Sequence, residues 1–211
     1  MARPVDDLKQ AVSAARVIPV LVLDDVSIAQ PLAEALVAGG LNVLEVTLRT
    51  PNATEIIKEM LKVTGAIVGS GTVRSVEHMR MSEEAGCRFM VSPGAPQKLL
   101  EAAENISIPL LPGVASPTEA MSAAEMGYSF LKFFPAEAMG GASVLKSFVS
   151  PFPDLRFCPT GGIDAERAAD YLSLPNVLCV GGSWVTPRTA IADRDFEKIE
   201  KLAREANNIG T

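Results

Sequence analysis

The chain is short of the residues that build metal centres and redox bridges. Its 211 residues hold one histidine, His78, and three cysteines, Cys87, Cys158 and Cys179. Neither a multi-histidine zinc site nor a Cys/His cluster can be assembled from that set. The cysteines are odd in number and each lies in an apolar segment, which fits reduced thiols in the cytoplasm better than a disulfide framework. Long hydrophobic runs are missing too. The longest, such as Val17 to Leu23, are about seven residues and broken by proline, against the roughly 20 that span a bilayer. There is no basic run, and the net charge is −6, which argues against a footprint on nucleic acid. An anionic ligand would need a local positive site. The opening MARPVDDLKQAVSAAR carries Asp6 and Asp7 where a signal peptide needs positive charge, so export is not expected.

What is present is a regular alternation. Hydrophobic residues make up 48% and charged residues 21%, too apolar for a disordered chain. The length predicts one domain over residues 1–211. Short β-branched runs start near Val17, Val43, Ala66, Arg88, Ile108, Ser129, Leu155 and Val177, with helical stretches between them. The steps of 20 to 26 residues fit a strand, a helix and two short loops. Thr50-Pro51 reads as N-cap and N1 of one helix, and Ser116-Pro117-Thr118-Glu119 as a capping box. Gly39-Gly40, Gly65, Gly86 and Gly127 stand where helices should stop. Residues 5–15 predict an extra amphipathic helix before the first strand, and residues 189–207 the last helix. Eight βα units predict an α/β fold, a (β/α)8 TIM barrel over residues 17–211 preceded by the helical segment 1–16. A doubly wound sheet is disfavoured, because Val22-Leu23-Asp24-Asp25 follows the first strand in place of G-x-G-x-x-G.

Barrel strands are covered on both faces, so an ionisable residue in mid-strand calls for a reason. In Val43-Leu44-Glu45-Val46-Thr47-Leu48-Arg49 the period of two puts Glu45, Thr47 and Arg49 on one face and the leucines and Val46 on the other. The apolar set must meet the helices, which turns Glu45 into the barrel. In Ser129-Phe130-Leu131-Lys132-Phe133-Phe134 the same rule turns Lys132 inward, near the strand's C-terminal end where barrel enzymes carry their chemistry. The other seven lysines fall on helices or loops. A purely structural Lys132–Glu45 ion pair is the competing explanation; such pairs stabilise little compared with apolar residues. A lysine between phenylalanines is poorly hydrated, a setting that suits an amine nucleophile for a carbonyl. A carboxylate on the same surface can shuttle its protons. Arg49, nearer the loops, offers a planar fork for a substrate carboxylate. Thr160-Gly161-Gly162 and Gly181-Gly182-Ser183 end the seventh and eighth strands, where many barrels bind phosphate through N–H groups. Tight turns alone would also explain these glycines.

Several linked stretches resemble one family, the 2-dehydro-3-deoxy-6-phosphogluconate aldolases, which also act on 4-hydroxy-2-oxoglutarate. They are ALVAGG at 35–40, VLEVTLRT at 43–50, VGSGTV at 68–73, SPG at 92–94, LKFFPAEAMGG at 131–141, RFCPTGGI at 156–163 and VGGSWV at 180–185. The resemblance implies a homotrimer of (β/α)8 subunits, a place in the Entner–Doudoroff route, and class I aldol cleavage that uses neither metal nor cofactor. It makes Lys132 the Schiff-base lysine and Glu45 the general acid/base. Arg49, Thr72 and Pro93 would line the pyruvate-carboxylate end, with Phe134 beside the imine. Gly161, Gly162 and Ser183 would hold the phosphate, and Thr160 and Gly182 are expected among the substrate-binding residues. Ser70, where the family often has alanine, is expected next to the pyruvate pocket. The galactonate-epimer aldolase, a phosphosugar isomerase without a covalent intermediate, and a non-catalytic ligand-binding barrel are the other readings.

Overall fold

The computed structural model describes residues 15–209, so the predicted helix over 5–15 lies outside the described residues but for Ala15. Nine short strands follow one another: β1 (Val17–Leu21), β2 (Val43–Thr47), β3 (Ile67–Gly71), β4 (Met90–Val91), β5 (Leu110–Leu111), β6 (Gly113–Val114), β7 (Phe130–Phe133), β8 (Arg156–Pro159) and β9 (Val180–Gly182). All pairings are parallel, in the orders β5-β4-β3-β2-β1-β9 and β6-β7-β8. β5 and β6 are the two halves of the fifth predicted strand. Pro112 separates them, lacking the N–H a continuous ladder needs, while its carbonyl accepts from Lys132 N at 2.9 Å. Single bridges from Phe157 to Val177 and from Thr160 to Gly181 join β8 to β9. The sheet therefore closes into a barrel of eight strand positions.

The helices are α1 (Ala29–Ala38), α2 (Ala53–Met60), α3 (Val76–Glu84), α4 (Gln97–Ala103), α5 (Pro117–Glu125), α6 (Gly141–Phe148), α7 (Ala165–Leu172), α8 (Arg188–Ala192) and α9 (Phe196–Asn207). Ser116 caps α5 as its sequence predicts, accepting from Glu119 N at 3.3 Å, while the Glu119 carboxylate reaches back to Ala115 N at 2.6 Å. Two helix expectations fail. Thr50 does not cap α2: its hydroxyl donates to the Leu23 carbonyl, and the helix begins after Asn52. The single helix predicted over 189–207 is two, because Arg194 takes a φ of +54° and Asp195 caps α9 by accepting from Lys198 N.

Strand alternation builds two apolar layers. Val17, Leu44, Val46, Val68, Met90, Leu131 and Phe133 point outward against the helices. Ile18, Val43, Phe89, Val91, Leu111, Phe130, Cys158 and Cys179 fill the bore. The bore is tight: a Cβ on Gly69 would lie 2.4 Å from the Phe89 ring. This packed floor leaves the C-terminal end of the barrel as the place for polar chemistry.

Candidate active site

β2 and β7 are not neighbours in the sheet, yet their inward side chains meet across the bore. Lys132 Nζ lies 3.2 Å from Glu45 Oε1, with the two residues 5% and 3% exposed. The pair is placed by the period-two pattern, since Val43 and Phe130 fill the layer below. Gly71 on β3 makes room for the carboxylate: a Cβ there would fall 2.2 Å from Glu45 Oε1. Lys132 Nζ also sits 5.4 Å from the centre of the Phe134 ring, within cation–π range. Cys158 is the strand neighbour of Lys132. All three thiols are buried, and burial pushes Cys87 up to about 11 and raises Cys179 as well.

Arg49 stands at the end of β2, exposed, and donates from Nε to Thr72 Oγ1 at 3.0 Å. Thr72 adopts a φ of +61°, a left-handed conformation that is strained for a β-branched residue. The Val73 N bond to Val91 O at 3.0 Å anchors the following residue to β4. Local strain at such a position is characteristic of functional loops. Here it aims the Thr72 hydroxyl at Arg49.

A cavity of about 520 Å³ opens over the C-terminal strand ends, lined among others by Arg49, Phe134, Thr160, Gly161, Gly162, Gly182 and Ser183. Seven predicted residues thus share one space. Lys132 and Glu45 are not on its wall; they adjoin it through Phe134 and through Val20, the strand partner of Glu45. Gly161 and Gly162 take φ of +106° and +80°, conformations glycine alone adopts freely. Their loop is pinned from behind by Ala136 N to Thr160 O at 2.8 Å and Glu137 N to Gly161 O at 3.1 Å. The Glu137 carboxylate is itself held by the Tyr171 hydroxyl and by Arg167 Nε at 3.2 Å.

Three placements differ from expectation or extend it. Pro93, like Thr72, is not on the cavity wall; the Pro93 backbone packs at the Gly113 Cα, where a Cβ would come within 2.5 Å. Ser70 points out of the barrel and bonds Ser82 Oγ on α3 at 2.6 Å, so it does not border the pocket. Arg188, which the sequence reading passed over, is on the wall. A cation just after Pro187, close behind the last glycine-ended strand, was the available signal. Among the described residues no group of three or more His, Cys, Asp or Glu is placed to hold a metal ion, and no helix is long and apolar enough to cross a membrane.

Residues 8–202 match the sequence model of KDPG and KHG aldolases. A 2-dehydro-3-deoxy-phosphogluconate aldolase of Zymomonas mobilis is 51% identical over 201 residues, 95% of either chain. The chain belongs to the KDPG and KHG aldolase family. Solved family structures superpose closely. The Z. mobilis aldolase crystallised with 3-phosphoglycerate gives a TM-score of 0.92 at 49% identity, covering 99% of this chain and 97% of that one. The Legionella pneumophila KDPG aldolase, with pyruvate captured at low pH as a covalent carbinolamine intermediate, gives 0.90 at 46% identity, covering 94% and 97%.

Proposed function

We propose that this protein is a metal-independent class I aldolase. It cleaves 2-dehydro-3-deoxy-6-phosphogluconate to pyruvate and glyceraldehyde 3-phosphate, and 4-hydroxy-2-oxoglutarate to pyruvate and glyoxylate. The observation that carries this reading is the buried Lys132 Nζ, 3.2 Å from the Glu45 carboxylate and beside Phe134, which lines the cavity. Family membership supports it.

Lys132 attacks the C2 ketone, and Glu45 carries the protons that turn the carbinolamine into an imine and release water. Arg49, oriented by Thr72, pairs with the C1 carboxylate, and Phe134 covers the imine. A base, Glu45, takes the C4 hydroxyl proton. The C3–C4 bond breaks, its electron pair moves onto the protonated imine to give an enamine, and C4 leaves as the aldehyde. Protonation at C3 and hydrolysis then free pyruvate and regenerate the amine. Thr160, Gly161, Gly162, Gly182 and Ser183 hold the distal end of the substrate. Pro93 contributes to the carboxylate end through its loop.

We also infer that residues 1–211 act as one barrel unit, that the active form is a cytoplasmic homotrimer, and that its step is the cleavage of the Entner–Doudoroff route. The test is release of pyruvate from the phosphorylated ketodeoxy acid, followed with lactate dehydrogenase and NADH. Release supports the reading. Interconversion of sugar phosphates without pyruvate would put an isomerase in its place, and binding without turnover a regulator.

A further inference from the structure

We propose that Arg188 is the cation that reads the distal phosphate and sets the preference for phosphorylated over unphosphorylated partners of pyruvate. This rests on the aldolase reading above and names a residue of that site that its motifs leave out. The argument starts from charge. The chain carries −6 overall, yet the cavity wall has two cationic side chains, Arg49 and Arg188, and no carboxylate. Arg49 is tied to Thr72 and stands at the end of β2. Arg188 lies on the β9 side, on the same wall as Gly161, Gly162 and Ser183. The next arginine along the chain, Arg194, is paired with Asp25 at 3.2 Å. The Arg188 side chain has no ion pair or hydrogen bond among the described residues. An exposed arginine on the wall of an acid-free cavity, with its side chain unpaired among the described residues, is a site for an anion.

The two arginines therefore make a cavity with two positive stations, matching a ligand with a carboxylate at one end and a second anion at the other. The glycine loops supply donors without net charge: the N–H groups of Gly162 and Ser183 have no acceptor among the described residues. Such donors carry partial positive charge and already favour an anion. Arg188 adds a full positive charge, which widens that discrimination. A phosphate monoester loses its second proton near pH 6, whereas a guanidinium stays charged throughout. The preference should therefore strengthen as pH rises through about 6 and weaken with added salt.

The experiment compares aldol addition of pyruvate to glyceraldehyde 3-phosphate and to glyceraldehyde, using the full chain, Arg188→Gln and Arg188→Lys. The readout is the ratio of kcat/KM for the two aldehydes. A lost charge-assisted contact predicts a ratio about tenfold to a hundredfold lower in Arg188→Gln. The change should sit in KM, with part of it restored in Arg188→Lys and the pH and salt dependence of the ratio gone. A ratio unchanged in Arg188→Gln, or equal losses on both aldehydes, overturns the assignment. Neither result touches the aldolase reading, which fails separately if the wild-type chain adds pyruvate to neither aldehyde.

Discussion

At the residue scale, Lys132 and Glu45 depend on each other. Removing one member of a buried ion pair costs about 3 to 5 kcal/mol, because the other charge is left uncompensated. Glu45→Gln keeps a hydrogen-bonding group against Nζ but cannot carry a proton. Its turnover should fall by about 100-fold to 10,000-fold, while borohydride with pyruvate still labels Lys132 slowly. Near-normal turnover in Glu45→Gln, measured on protein whose melting curve remains cooperative, would reduce Glu45 to an ionic partner. These two residues were legible in the sequence because strands alternate strictly: once Leu44 and Val46 must face helices, Glu45 has one direction left. Ser70 obeys the same rule against what the resemblance implies: its parity with Val68, not with Gly71, turns it toward Ser82. Arg188 had no such rule, since it lies past the strand, at the first residue of the short α8, where the sheet's period of two does not apply.

At the scale of elements, β3 shows what glycine does inside a closed sheet. Gly69 and Gly71 sit within the strand, where they leave room for the side chains of Phe89 and Glu45. Alanine at either position should fail in a different way. Gly69→Ala overpacks the floor beneath the site and should cost about 1 to 3 kcal/mol of stability. Gly71→Ala puts a methyl 2.2 Å from Glu45 Oε1, and relief needs a shift of about 1 Å to reach an ordinary contact near 3.3 Å. A misplacement of about that size costs about a hundredfold in turnover. Paired melting temperature and kcat measurements separate the two; a Gly71→Ala protein with normal kcat would contradict the placement of Glu45. The repeat of eight units was legible from spacing alone, because each βα step needs a minimum length. The split at Pro112 and the break between α8 and α9 do not show in that spacing. Both depend on single residues, a missing N–H in one case and the left-handed Arg194 in the other. Thr50 failed as a cap because a nearer acceptor, the Leu23 carbonyl, competes for its hydroxyl.

For the whole molecule, the far end of the bore is plugged by Phe89, Phe130 and Leu111, which leaves the loop end as the open approach to the Lys132–Glu45 pair. The donor set makes no metal cluster among the described residues, and aldol cleavage should persist after dialysis against a strong chelator; loss restored by a divalent cation would contradict a lysine-only mechanism. Sedimentation equilibrium should return three times the chain mass, and a monomer at assay concentration would contradict the trimer. The central claim is that Lys132 forms an imine with pyruvate. Borohydride reduction in the presence of pyruvate, followed by peptide mapping, tests it most directly. The account predicts a single three-carbon adduct per chain, on the peptide carrying Lys132, with loss of activity in proportion to labelling. No adduct, or an adduct on one of the surface lysines while Lys132 stays unmodified, would contradict it.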